Sequence, residues 1–524
     1  MDAVEPVAQQ LGAASSWDGH ACPDDVAMVL SLLLPLLPLD TRARAASVCR
    51  AWRAAAAAPA LWEELSFERC TARVIDDSQG PLPRLCRRAG AALRTLRLDS
   101  DACMVVSYYG MVEALRGGGC SGVQRLWAPR PMSRVPWEEP GKWLRVDMVR
   151  ALNAACPVLQ HAACSVLSSL SDVAAATALP GPLLLHVMGT GFAEYSGADV
   201  TQLVEFLRLN ATVTSLDLFM NDIDAEGATQ LAECLRNDTT LTYLDLERNR
   251  VGVEGATRLA ECLRVNAMLV RLNLSRNNIG DAGATQLAEC LRANAVLARL
   301  ELGENNIGDA GATQLAECLR TNATLVSLSL HDNIIGFVGA TQMAECLRVN
   351  ATLTSLNLNR NRIGDEGATR LAECLRVNAT LARLDLGENN IGDAGATQLA
   401  ECLRANATLV SLSLHANIIG FVGATQLAEC LRVNATLTSL NLNRNRIGDE
   451  GATRLAECLR VNATLTSLHL RSNSFGDAGA TQLVDCLCVN ATLTSVDLIG
   501  NAFGDAAKSA LVRHIRHSAK FFTG

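Results

Sequence analysis

From Val213 onward the apolar positions return at one fixed interval. A leading apolar residue recurs at Val213, Leu241, Leu269, Leu297, Leu325, Leu353, Leu381, Leu409, Leu437, Leu465 and Leu493, always 28 residues apart. A constant period of this size predicts a solenoid, whose units bury their apolar faces only against their neighbours. Two shorter rhythms lie within each period. In Leu297-Ala-Arg-Leu300-Glu-Leu302 the leucines alternate, as in a short strand with one buried face. Asn305 and Ile307 carry the turn, and Ala312, Leu315, Ala316 and Leu319 then fall at i, i+3, i+4 and i+7, one stripe of a helix. Arg320-Thr-Asn322 ends that helix and turns the chain back. Parallel strands stack at ~4.8 Å and helices need ~10 Å each, so the array must bend into a horseshoe, strands inside and helices outside.

The same pattern extends irregularly toward the N-terminus. Leu93-Arg-Thr-Leu96-Arg-Leu98 repeats the strand signature, Val123-Gln-Arg-Leu126 follows it, and Cys156-Pro-Val-Leu159-Gln-His161 makes a further unit. Residues 69–184 are therefore expected to hold irregular repeats, interrupted at 129–143 by an exposed segment with Pro131, Pro136, Pro140, Trp137 and Trp143. Regular repeats should occupy 185–504, opening with a helix on Val200, Leu203, Val204 and Leu207. A cap is expected at 505–524, where Phe503 has just replaced the turn isoleucine and Lys508, Arg513, Arg516 and Lys520 make a polar outer face.

Residues 1–20 show no periodicity and are expected to be a flexible tail. Between 21 and 68 the pattern predicts three short helices. Pro23, Asp24 and Asp25 suit a first turn, Pro35 and Pro38 end the first helix, Asp40 can cap the second, and an alanine-rich third surrounds Trp52 and closes on Leu61-Trp62.

Composition narrows the chemistry. The 524 residues are 49% apolar but only 4% aromatic, as in a solenoid packed by leucine and alanine. A net charge of -8 gives no electrostatic case for nucleic acid. The start Met1-Asp-Ala-Val-Glu lacks a basic leader, and the Leu30–Leu37 run is too short to span a membrane. The expectation is a soluble cytoplasmic protein, with the nucleus also open. Ten of the 19 cysteines, from Cys234 to Cys486, hold one place in successive helices. Neighbours ~10 Å apart exceed the ~7 Å reach of a disulfide, so they are expected to be buried thiols. Ten Asn-x-Ser/Thr triplets arise mostly because the helix-to-strand turn is spelled Asn-Ala-Thr. No phosphate loop, His-Glu-x-x-His or Gly-x-Ser-x-Gly is present, the histidines are scattered, and neither an enzyme, a cofactor nor a metal is expected.

The repeats resemble the leucine-rich repeats of the ribonuclease-inhibitor class. The stretch Val48-Cys49-Arg50-Ala51-Trp52, with Leu61-Trp62 and the preceding Leu-Pro breaks, resembles the F-box, except that Cys22 stands where that family usually has leucine. The fold class is accordingly α/β, a leucine-rich-repeat horseshoe preceded by a small all-α F-box-like module. The resemblance implies a Skp-type adaptor of an SCF-type ubiquitin ligase and its cullin as partners, contacted mainly near Pro23, Val26, Leu30, Leu37, Val48 and Trp52. A substrate protein should meet the concave strand face. The candidates there are Phe219, Tyr243, Asp245, Glu247, Arg271, Arg299 and Glu301, with recognition expected at the less copied strands nearer Phe219 and Tyr243. Charge of both signs in stripes on that face suits a protein more than a phosphate backbone. Outside such a complex a monomer is expected. Two other readings remain open at this point: a plain interaction scaffold capped by the N-terminal helices, and a Ran-type GTPase-activating protein using a turn arginine such as Arg248 or Arg276. Leu297–Thr380 recurs as Leu381–Thr464 with four changes, Glu301 to Asp385, Thr321 to Ala405, Asp332 to Ala416 and Met343 to Leu427, which spaces like features three strands apart.

Overall fold

The computed structural model describes residues 213–504 continuously, together with Glu64–Phe67, Thr95–Leu98, Arg125–Trp127, His161–Ala163, Val166–Leu167, Leu183–Val187, Gly197–Leu209 and Phe521–Thr523. The expected tail at 1–20, the helices bearing Pro23, Val26, Leu30, Leu37, Val48 and Trp52, the insertion at 129–143 and the basic residues of the cap lie outside the described residues. The chain forms two compact units, one of residues 1–188 with 209–216 and one of residues 189–208 with 217–524.

In the first unit the irregular strands pair in parallel. Leu96 lies opposite Leu126, Arg125 opposite His161 and Ala162 opposite Leu183. Glu64–Phe67 departs from the expectation of an all-helical segment over 21–68: it is a strand, with Glu64 opposite Thr95 and Phe67 opposite Leu98. Its Glu-Leu-Ser-Phe alternation is that of a one-face strand, which the helical reading of its neighbours obscured.

In the second unit ten three-residue strands, from Tyr243–Asp245 to Ser495–Asp497, run parallel, each residue opposite the one 28 positions on. Phe521–Thr523 extends this ladder beyond Ser495–Asp497. A helix of eleven to thirteen residues precedes each strand, as Asp309–Leu319 precedes Ser327–Ser329. The predicted core is observed: Leu297, Leu300, Leu302, Ile307, Ala312, Leu315, Ala316 and Leu319 are all buried, as are Val200, Leu203, Val204 and Leu207. At the C-terminal end Phe475 and Phe503 take the isoleucine place and stack with centroids 6.0 Å apart.

Polar groups tie one repeat to the next at three points. In the strand-to-helix turn, Asn333 Nδ2 donates to the Leu302 and Leu330 carbonyls, both at 3.0 Å, while its Oδ1 accepts the N–H of Asn305 and of Ile307. Equivalent buried amides recur from Asn221 to Asn473. In the helix-to-strand turn, Asn322 Nδ2 donates to the Leu291 carbonyl at 2.8 Å, satisfying the end of the preceding helix, and its Oδ1 accepts from Thr324 and Leu325. Asn322 and its copies are buried with both ends of the amide engaged, so the Asn-Ala-Thr triplets are structural turns.

The third tie has two forms, selected by a residue one repeat earlier. Where that residue is aspartate, its Oδ1 accepts two N–H groups at the start of the next helix. Asp281 takes those of Gly308 and Gly311 at 2.7 and 2.8 Å, and Asp309 those of Gly336 and Gly339. Where it is Ala225, Val253, Phe337 or Phe421, the following turn glycine is left-handed instead: Gly252, Gly280, Gly364 and Gly448 have φ of 61 to 63°. Their N–H groups go to the carbonyls of Asn277, Asn305, Asn389 and Asn473. The aspartate is thus an N-cap supplied across the repeat boundary. It adds to the helix-dipole role expected for the turn acids.

Replacing Asn333 with alanine leaves the Asn305 and Ile307 N–H groups and the Leu302 carbonyl without this partner. At ~1–3 kcal/mol per unsatisfied buried group, the loss should be roughly 3 kcal/mol or more. Phe337→Asp should install the missing cap and stabilise by about 1 kcal/mol. Denaturant midpoints followed by circular dichroism check both, and a destabilised Phe337→Asp would refute the account of the cap.

Candidate functional site

The strand face of the second unit brings most of the expected partner-binding residues together. Parallel register sets Tyr243 beside Arg271 and Arg271 beside Arg299. The same register sets Asp245 beside Asn273 and Asn273 beside Glu301. Arg271 lies over the Tyr243 ring, 4.6 Å from its centroid, a cation–π contact that holds both in place. The Tyr243 hydroxyl donates to Asp245 Oδ2 at 2.7 Å, and Asp245 Oδ1 accepts the Glu247 N–H at 2.9 Å. Glu247 Oε2 accepts from Asn273 Nδ2 at 3.1 Å.

Not every predicted residue offers itself equally. Arg271, Arg299 and Glu301 are exposed, Tyr243 and Glu247 half-buried, and Asp245 is only 4% accessible. Asp245 therefore lies on the predicted face as a support for Tyr243 and the Glu247 backbone. Phe219 is half-buried one rung earlier, its N–H donated to Asp217 Oδ1 at 3.0 Å.

The acids of this face crowd one another. Desolvation pushes the Asp245 carboxyl above the ordinary carboxylate range, the neighbouring Asp217 charge adds to it, and hydrogen bonds from Glu247 and Tyr243 oppose it. Glu301 is also raised, chiefly by desolvation and then by the Asp245 and Glu247 charges, with His331 and Arg299 pulling the other way.

Other residues on this face escaped sequence reasoning in their detail. A Cβ at Gly303 would fall on the His331 ring, and one at Gly387 on the His415 ring. The two glycines are gaps that seat an imidazole from the next strand. The His331 Nδ1 pairs with Ser329 Oγ at 3.0 Å, and His415 pairs with Ser413 Oγ at 2.9 Å and Asn359 Nδ2 at 3.2 Å. A glycine 28 residues before a histidine was the available signal. Among the described residues no group of three His, Cys, Asp or Glu could hold a metal ion.

Of the turn arginines, Arg276 is held between Glu304 and Glu247, while Arg248 is exposed with no ion pair among the described residues. The cysteine ladder is buried and unbridged, and burial pushes the thiols of Cys318, Cys346 and Cys374 up to about 12. They stay protonated and unreactive at neutral pH.

Comparison with known proteins adds the N-terminal segment. Residues 27–68 match the family described as F-box-like. Eight segments, 209–232, 237–260, 265–288, 293–316, 349–372, 377–400, 433–456 and 461–484, match the family described as Leucine Rich repeat. The chain is thus a leucine-rich-repeat solenoid carrying an F-box-like segment, two modules that typically serve interaction without catalysis. No curated protein matches it. Among solved structures it is similar to the actin-binding site 2 of leiomodin-1, 25% identical over 25% of this chain and 76% of that one, with a TM-score of 0.23. It is also similar to an internalin (inlF) from Listeria monocytogenes, 19% identical over 71% and 82%, with a TM-score of 0.39. Likenesses this weak bear on neither partner nor function. Among the described residues no helix is long and apolar enough to cross a membrane.

A raised carboxyl pKa in the folded chain means that the fold binds a proton more tightly than the unfolded chain does. The charged form of Glu301 therefore works against folding at neutral pH, and the penalty fades as pH falls through its raised value toward the ordinary carboxylate range. Glu301→Gln should be more stable than the wild type at pH 7, with the gap closing on acidification. Unfolding midpoints of both proteins across that range check the sign, and a gap that widens would contradict it.

Proposed function

We propose that this protein is a non-catalytic substrate-recognition subunit of an SCF-type ubiquitin ligase. Its F-box-like helices bind a Skp-type adaptor, and the strand face of its repeats binds a protein substrate. The observation that carries the reading is the joint presence of the F-box-like match at 27–68 and a long repeat array. Two separate surfaces follow from that arrangement. On the F-box-like side, the apolar residues Leu30, Leu37, Val48 and Trp52 belong to a stretch of only ~40 residues, too short for an independent core, so burial against an adaptor supports its leucine content.

On the repeat side, Tyr243 and Arg271 form a rigid pair beside the carboxylates of Glu247 and Glu301. Aromatic and arginine anchors of this kind dominate binding energy at interfaces. The crowded carboxylates favour a substrate segment with a positive charge, whose arrival relieves their mutual repulsion.

Co-purification of the full chain with a Skp-type adaptor and cullin tests the reading. The wild type should assemble. Trp52→Ala combined with Leu30→Asp should abolish assembly, and Arg271→Glu on the repeat face should leave it intact. Absence of a complex, or a complex indifferent to the Trp52 and Leu30 changes, would leave a plain interaction scaffold as the better reading.

A further inference from the structure

The two copies of the 84-residue block differ most in their consequences at one column of loop residues. Successive rungs place Arg276, Glu304, Asp332, Arg360, Glu388, Ala416, Arg444 and Ser472 at the same left-handed position. In the first copy Arg360 is neutralised from both sides, by Asp332 on the rung before and by Glu388 on the rung after, the latter at 3.3 Å. In the second copy the corresponding Arg444 stands between Ala416 and Ser472, exposed and with no ion pair among the described residues. Arg446, two residues on, is exposed and likewise unpaired among them.

Exposed apolar residues lie on the rung before these cations. Ile418, Phe421 and Val422 are 45, 47 and 43% accessible, and the Arg446 N–H donates to the Ile419 carbonyl at 2.8 Å, which makes Ile418 and Arg446 counterparts on adjacent rungs. Phe421 also occupies the place where the array elsewhere supplies its inter-repeat cap. Asp393 and Asp449, one repeat to either side, each accept two N–H groups of the following helix, whereas behind Phe421 the turn glycine Gly448 is left-handed. The repeat thus gives up a stabilising aspartate for a half-exposed ring. The acids on the next helix start are Asp449, whose carboxylate is taken up by Gly476 and Gly479, and Glu450.

We infer that the loop edge formed by Ile418, Phe421, Val422, Arg444 and Arg446 docks an acidic segment of another protein that carries an apolar residue, and that the first copy of the block does not. The apolar cluster buries the side chain, and the two guanidinium groups, freed of competing carboxylates, take the acids. In the first copy Ile334, Phe337 and Val338 make the same apolar cluster, but Asp332 and Glu388 already occupy Arg360. The site lies apart from the strand face and does not rest on adaptor binding.

Selection on the immobilised full chain tests this, with one seven-residue display library of Asp, Glu, Leu and Phe and a matched one of Lys, Arg, Leu and Phe. The acidic library should enrich, and the selected peptide should bind one per chain. Arg444→Glu should weaken it at least tenfold, as should Ala416→Asp with Ser472→Glu, which rebuilds the pairing seen at Arg360. Phe421→Asp should also lose it while restoring the Gly448 cap, so that its unfolding midpoint does not fall. Asp332→Ala with Glu388→Ala should open the first copy and raise the stoichiometry to two. Trp52→Ala with Leu30→Asp should leave the peptide bound, which keeps this result separate from the ligase reading. Enrichment of the basic library, enrichment of neither, indifference to Arg444→Glu, or self-association of the chain lost with Phe421→Asp would overturn the inference.

Discussion

Every repeat of this array depends on a buried carboxamide that serves the repeat before it. A strand of three residues followed at once by a turn leaves backbone N–H and C=O groups inside the core, where each unpaired one costs ~1–3 kcal/mol. Asn333 and its copies provide a donor and an acceptor on one short side chain and meet both needs at once. Aspartate has no donor, and leucine neither. Asn473 is an exception, keeping its donor contacts while its Oδ1 is buried without a hydrogen-bond partner among the described residues.

Because the amides and leucines together occupy the interior, variation is pushed to three strips of surface. On the strand face it builds the Tyr243–Arg271 pair and the carboxyl groups beside it whose pKa is raised. At the loop edge it sets the alternation of arginines and acids whose pairing decides which cations are free. At the helix starts it chooses between an aspartate that caps the neighbouring helix and an apolar residue that forces the next glycine left-handed. The duplicated block shows how little change is needed. One substitution, Asp332 to Ala416, removes a counter-ion and alters the charge a partner would meet, with no effect on the core.

The repeat array presents several separate strips of surface, and the chain also carries an F-box-like segment. That division supports the proposed reading, in which the chain brings two other proteins together. The strand face, crowded with acids, and the loop edge, with arginines that have no ion pair among the described residues, differ in charge, so the two proposed sites would suit partner segments of opposite charge.

The sequence by itself determined the period, the alternation of strand and helix, the leucine core and the buried thiols, because each follows from spacing within one 28-residue unit. It also determined which residues share the strand face, since a side-chain period of two leaves no freedom there. It obscured the strand Glu64–Phe67, whose four residues are too few to stand out beside neighbours whose pattern reads as helical. Only the tertiary structure decided that Asp245 is a covered support, that Gly303 and Gly387 seat histidines, that Asp281 caps a helix beginning near Gly308, and that Arg360 is neutralised while Arg444 has no ion pair among the described residues. All four depend on partners in another part of the repeat array or on the depth of a side chain beneath its neighbours. Residues 27 to 31 apart in sequence become neighbours only once the repeats are stacked, and a local pattern carries no record of which of them will meet.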